Sequence, residues 1–313
     1  MTKALILGGG GFAGRYLAAY LRSAGGWQVA VTGRSKAPED VDCDESFALN
    51  ILDGAETERR ILSYAPDCIF HLAAQSSAAK SWREPGATVD ANIRGTVNVL
   101  EAARKAAKPP RVLLVGSSEE YGTVRAEECP ITEAQPLHPG NPYALSKASQ
   151  EMLGRLYGEA YGLEVISVRA FNHIGPGQSP DFAVSDFCRQ TALLEKYGGE
   201  GVIRVGNLSA RRDFTDVRDV VRAYALLMEK GESGQVYNVG SGCAVSVGEL
   251  LERILALSGR EIRTEIDEAR FRPVDAPLNV ADISRLREAT GWRPEITAEE
   301  TLRDTLNYWR DRV

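Results

Sequence analysis

Ala4-Leu5-Ile6-Leu7-Gly8-Gly9-Gly10-Gly11-Phe12-Ala13-Gly14 decides how the chain begins to fold. Ala4–Leu7 is a short apolar strand, and a helix follows the glycines to about Ala24. Strand, glycines and helix in that order are the setting of a dinucleotide-phosphate turn. Glycines let the backbone approach a pyrophosphate, and a helix N-terminus adds amide donors and the positive end of its dipole. Gly8, Gly11 and Gly14 keep a G-x-x-G-x-x-G spacing, while Gly9, Gly11 and Gly14 also keep G-x-G-x-x-G. The four-glycine run leaves the two inseparable, and a plain flexible turn is the bland alternative. Phe12, inside the turn, is a candidate cofactor contact.

Working outward, a second strand over Gln28–Thr32 ends in Gly33-Arg34-Ser35-Lys36. An NAD site usually holds the ribose 2′-hydroxyl with an acid near this point. No acid precedes Glu39, and Arg34 with Lys36 suits a 2′-phosphate, so NADP(H) is expected over NAD. A solvated basic loop is the plainer reading of the same residues. Further strands are expected at Ser46–Leu49, Cys68–Leu72 and Arg111–Val115, alternating with helices that include a long one from about Pro85 to Ala107. That alternation gives an α/β fold with a doubly wound parallel sheet. Ligands lie outside the carboxyl ends of such strands. Asn50 and Ile51 after the third strand, and Leu72, Ala73 and Ala74 after the fourth, are therefore candidate cofactor contacts. His71 reads as a packed strand residue. The fifth strand delivers Gly116-Ser117-Ser118-Glu119-Glu120-Tyr121-Gly122.

Asn141-Pro142-Tyr143-Ala144-Leu145-Ser146-Lys147 then opens a helix to about Ala160. Tyr143 and Lys147 are one turn apart on one face. An ammonium beside a phenol favours the phenolate, and a tyrosine so tuned can exchange a proton with a substrate oxygen. Tyr-x-x-x-Lys alone is a weak signal; its weight comes from Ser117 and the glycine turn. Beyond strand Val165–Ala170 and Phe171-Asn172-His173-Ile174-Gly175-Pro176-Gly177 the regular alternation stops. A helix (about Ser185–Tyr197), a strand (Val202–Val205), a polar loop, a helix to about Lys230, a strand (Gln235–Val239) and a mostly helical tail follow. Residues 1–170 with about 211–241 are expected to form a dinucleotide-binding domain of the Rossmann type. Residues 171–210 with 242–313 are expected to form a smaller, discontinuous substrate domain over the crevice.

The net charge of −6 argues against a nucleic-acid partner, so any phosphate site must be built locally. Five scattered cysteines without a Cys-x-x-Cys pair suggest neither a disulfide framework nor zinc, and three histidines argue against a metal centre. No leader and no membrane-spanning run is read, so a cytoplasmic protein with no membrane partner is expected.

Together, Gly8/Gly11/Gly14, Ser117 and Tyr143/Lys147 resemble the extended short-chain dehydrogenase/reductase family over essentially the whole chain. The resemblance implies that Ser117, Tyr143 and Lys147 are catalytic and that the glycines hold the pyrophosphate. Asn50 stands where the family more often has an adenine-contacting Asp. Phe171-Asn172-His173 resembles the sugar-nucleotide members, in which the Asn, here Asn172, contacts the nucleotide diphosphate. Arg212 and Arg272 match arginines that clamp it, and Arg189 is a further candidate for the base or phosphate. Arginine suits the task because its planar fork binds phosphate oxygens in pairs.

Within that group the stretches Gly116–Gly122, Asn172–Ser179 and Gly206–Asp219 look most like GDP-4-keto-6-deoxy-mannose reductases. The resemblance implies NADPH-dependent reduction of a C4 ketone, a GDP-sugar substrate touched by Ser118 and Glu119, and a homodimer. Glu119 also stands where the related GDP-mannose 4,6-dehydratases carry a catalytic glutamate, so a dehydratase remains the enzymatic alternative. A non-catalytic NADP sensor on the same fold is the alternative of another class.

Overall fold

Thr2–Leu7 forms strand β1, whose alternate residues face opposite sides. The description that follows, from a computed structural model, covers residues 1–199, 201–267, 269 and 277–313. The other strands of the main sheet are β2 (Trp27–Gly33), β3 (Glu45–Ala48), β4 (Cys68–His71), β5 (Arg111–Ser117), β6 (Val165–Ala170) and, after three short strands named below, β10 (Val236–Val239). They pair in parallel in the order β10-β6-β5-β4-β1-β2-β3. The direction of winding reverses between β1 and β4, and a crevice opens there at the carboxyl ends.

Ala4 and Ile6 face one core, where α1 (Phe12–Ala24) contributes Leu17 and Leu21 and α8 (Val217–Lys230) contributes Val220, Tyr224 and Leu227. Leu5 and Leu7 face the other, with Ile61 of α2 (Gly54–Tyr64) and Val99, Leu100 and Ala103 of α5 (Gly95–Lys105). Each fully buried aliphatic side chain contributes about 1.5–3 kcal/mol, so burial on both faces makes this sheet the rigid base of the site. Helix α6 (Pro142–Tyr161) presses on β5 at Gly154, where a Cβ would stand 2.5 Å from Leu114 Cδ1.

Two readings of the sequence change. The single long helix from Pro85 is α4 (Pro85–Val89), a π turn over Asp90–Arg94, and α5, with a further short helix α3 (Ala78–Arg83) ahead of it. The stretch between the polar loop and the helix to Lys230 forms strand β9 (Arg211–Asp216), and the tail keeps its helices with short strands between them. β9 pairs with β7 (Asn172–Ile174), β11 (Ala244–Ser246) and β13 (Leu278–Asn279) in a second sheet. β8 (Val202–Val205) pairs in parallel with β12 (Arg263–Ile266). These strands are short and drawn from distant segments, and charges interrupt the alternation that would mark them. A further core joins α7 (Ala183–Tyr197), α9 (Val247–Ser258) and α11 (Ala298–Arg310) through Val184, Phe187, Leu250, Ile254, Leu302 and Leu306. Helix α10 (Ser284–Thr290) packs against α8.

Candidate active site

The glycine turn is built for close approach. Gly8 has φ +84°, and a Cβ there would lie 2.8 Å from Ala73 N. A Cβ on Gly9 would meet Val31 Cβ at 2.5 Å, and one on Gly14 would meet Gly8 O at 2.4 Å and Gly9 Cα at 2.7 Å. Side chains are thus excluded where the turn meets β2 and β4. Gly11 caps α1 with no side-chain bond among the described residues, and the first turn carries no acid. Free amides and an uncompensated dipole end suit an anion, so the cradle fits a dinucleotide pyrophosphate.

Around it lie the other cofactor candidates. Arg34 and Lys36 are exposed past the end of β2; Lys36 pairs with Glu39 at 3.3 Å, and Arg34 has no ion pair among the described residues. Asn50 is exposed, its Oδ1 accepting from Leu52 N at 3.2 Å, and Ile51 is buried. Leu72 N donates to Leu7 O at 3.0 Å, which carries Leu72, Ala73 and Ala74 past the end of β4 beside the glycines. His71 is a packed strand residue: its Nε2 bonds Thr96 Oγ1 at 3.0 Å, and burial with the Lys147 charge pushes its pKa down to about 3.

The catalytic candidates converge at the end of β5 and the start of α6. Asn141 caps α6 by accepting from Ala144 N at 2.8 Å, with Pro142 in the first turn. Its Nδ2 donates to Glu119 Oε2 at 2.8 Å, so one asparagine sets both the helix and the glutamate. Ser117, Tyr143 and Lys147 are all buried. Burial holds the Tyr143 phenol well above its usual pKa; Ser117 offsets this, while the charges of Glu119 and Glu120 add to it. The expected lowering by Lys147 is a correction. The ammonium turns to Val115 O at 2.6 Å and Gln150 Oε1 at 3.0 Å, and its own pKa is pushed down to about 8 by burial. Ser118 is buried beside this group.

On the substrate side, Asn172 pairs in register with Phe214, and Arg212 is two residues before Phe214 on β9. Paired and alternate strand positions share a face, so Asn172, Phe214 and Arg212 present one surface. Asn172 is exposed, and Arg212 Nη1 donates to Arg211 O at 2.9 Å. Beneath them, buried Asp213 ties β9 to two other segments, accepting from the amides of Ser241 and Gly242 and from that of Ala281. Arg189 is half-buried on α7. Arg272 lies outside the described residues.

Two features escape the motif reading. Glu120 is wholly buried and bonds the Ser117 amide, and Arg169 on β6 holds Glu151 at 2.8 and 2.6 Å behind it. The spacing Ser117-x-x-Glu120 is a capping box and carried the signal for the first.

Strand order, glycine cradle and Ser–Tyr–Lys cluster define a dinucleotide-dependent α/β enzyme of the extended short-chain dehydrogenase/reductase type. The family model described as GDP-mannose 4,6 dehydratase matches residues 5–305, and the chain belongs to that family. It is 35% identical to the GDP-6-deoxy-D-mannose reductase of Pseudomonas aeruginosa, over 100% of this chain and 99% of that one. Among solved structures, the NADPH complex of RMD from Pseudomonas aeruginosa superposes with a TM-score of 0.90 at 33% identity, covering 100% of both chains. The NAD complex of Thermus thermophilus UDP-glucose 4-epimerase gives 0.88 at 28% identity, also over 100% of both chains.

Proposed function

We propose that the protein reduces the C4 ketone of GDP-4-keto-6-deoxy-D-mannose with NADPH. The full-length similarity to a GDP-6-deoxy-D-mannose reductase supports this most directly. The glycine turn and α1 would hold the pyrophosphate, and exposed Arg34 would take the 2′-phosphate. Asn50, Ile51 and Leu72–Ala74 would line the adenosine side. Bound there, the nicotinamide supplies a hydride to sugar C4.

The chain's own residues handle the proton. Ser117 Oγ accepts from Glu119 N at 3.2 Å and is hydrogen-bonded to Tyr143; with substrate bound, its hydroxyl would donate to the C4 oxygen. Tyr143, held protonated by burial, gives its proton to that oxygen as charge develops there. Lys147, fixed by Val115 O and Gln150 Oε1, would hold the nicotinamide ribose with its ammonium. Asn172 and Arg212, on their shared face, would bind the GDP diphosphate, with Ser118 and Glu119 at the sugar; Arg189 and Arg272 are further candidates for the diphosphate on the family resemblance alone.

A 4,6-dehydratase is the second reading. Its support is Glu119, anchored by Asn141 and close enough to raise the Tyr143 pKa. A homodimer is also proposed: Trp82, Leu145, Met152, Leu156 and Tyr161 are all at least 50% exposed, and α3 and α4 pack beside α6. No helix among the described residues is long and apolar enough to cross a membrane.

The deciding experiment follows NADPH absorbance with GDP-4-keto-6-deoxy-mannose, beside a tube of GDP-mannose without added NADPH. Loss of NADPH in the first tube alone is expected. A keto sugar in the second would establish the dehydratase, and silence in both would overturn the GDP-sugar reading.

A further inference from the structure

The 3₁₀ turn Ser118–Tyr121 after β5 is closed by reciprocal bonds: Glu119 N donates to Ser117 Oγ, and Ser117 N donates to Glu120 Oε1 at 2.6 Å. Glu120 is 0% exposed. Its second oxygen, Oε2, has no hydrogen-bond partner among the described residues, and Arg169 Nε stands 3.9 Å from it. Arg169 is engaged elsewhere, with Glu151, Tyr121 Oη at 2.9 Å and Glu133 O at 3.1 Å. The groups facing Glu120 are Tyr143, Lys147 and Glu151 from α6 and Arg169 from β6, with Glu119 adjoining on its own turn. A capping box works equally well with glutamine, and an unpartnered carboxylate oxygen in a dry site is costly. The clamp explains a side chain of this shape; it does not explain an acid.

We propose that Glu120 is a positioning residue for the reaction, which clamps the Ser117 amide with one oxygen and, through the protonation of the other, sets how readily Tyr143 releases its proton. Burial and the Glu151 charge push the Glu120 pKa up to about 8, close to that of Lys147. The two therefore titrate as a linked pair rather than as separate sites. Ionised Glu120 raises the proton affinity of both Tyr143 and Lys147. Protonated Glu120 removes that opposition, and Tyr143 becomes the better acid. Below about pH 8 the site is thus set for proton donation to the substrate oxygen, and above it that donation is opposed. This rests on Tyr143 being the proton donor.

The test uses the full chain as wild type, Glu120→Gln and Glu120→Leu. Infrared difference spectra of wild type against Glu120→Gln need no substrate. They should show a carboxylic-acid band below about pH 8 that disappears above it. In steady-state reduction, Glu120→Gln should keep kcat within about threefold at neutral pH and lose the alkaline transition that depends on Glu120. Glu120→Leu, without the clamp, should lose kcat by about tenfold or more with the KM for NADPH unchanged. A Glu120→Gln profile superimposable on wild type, or no protonated-carboxyl band at mildly acid pH, overturns the proposal. If the keto sugar is not turned over, the infrared result still decides the state of Glu120, so the two failures are distinct. Should Glu120→Leu not fold, Glu120→Gln carries the test alone.

Discussion

Phe12 and His173 lie face to face, their ring centroids 5.9 Å apart and their planes 7° from parallel. The first belongs to the opening turn of α1 and the second to β7, next to Asn172. Tyr16 Oη, one turn further along α1, donates to Pro176 O at 2.8 Å. The helix proposed to receive the pyrophosphate therefore also carries the segment proposed to face the sugar nucleotide.

Phe12→Ala should weaken both ligands together. Such aromatic pairs are worth about 0.5–1.5 kcal/mol, so the apparent affinities for NADPH and for the GDP-sugar should each fall by roughly two- to tenfold. Separate fluorescence titrations with the two ligands would check this. A loss confined to NADPH would mean that the stack does not link the two sites.

Gly14→Ala should damage folding as well as binding. Its methyl would enter the space of Gly8 O and Gly9 Cα, both backbone atoms that no rotamer change can move aside. A cost of about 1–3 kcal/mol is expected for such overpacking. Calorimetry should show a lower Tm, and NADPH should no longer restore it.

Tyr143→Phe removes the proposed proton donor while keeping the ring in its pocket. Turnover should fall by about 10²–10⁴-fold, the usual contribution of a positioned acid, with the Kd for NADPH within about threefold of wild type. Unchanged turnover would remove Tyr143 from the chemistry.

Leu156→Glu places a charge on the exposed stripe that runs through Leu145, Met152 and Leu156 on α6. If two copies bury this face, an unpaired charge there costs several kcal/mol, and sedimentation should show a monomer at concentrations where wild type is dimeric. A wild-type protein that is monomeric throughout would rule out this interface.

The legible parts of the sequence were those governed by near neighbours in the chain. An apolar strand, glycines and a helix follow one another directly, and Tyr143 with Lys147 obeys the helical repeat. No strand is expected at β9 because Arg211-Arg212-Asp213 breaks the alternation and its partners β7, β11 and β13 come from distant segments. Helical spacing points the Lys147 ammonium to Tyr143, whereas packing offers it Val115 O, a strand carbonyl that no spacing rule predicts. The family motif singles out Glu119 and not its neighbour Glu120, although the capping-box spacing Ser117-x-x-Glu120 is present. Its burial depends on Arg169 and α6, which meet it only in the folded molecule.

Strand β6 is buried at all six positions, and its second neighbour in the sheet is β10. During synthesis, β6 emerges well before Val236–Val239, with α7, β8, β9 and α8 made in between. Throughout that interval Val165–Ala170 presents one unpaired edge, the kind of surface that recruits foreign strands. Chains that stall or are cut before β10 should therefore be the ones that cells find in inclusion bodies or bound to chaperones, even with the whole glycine turn and the Ser–Tyr–Lys cluster already made.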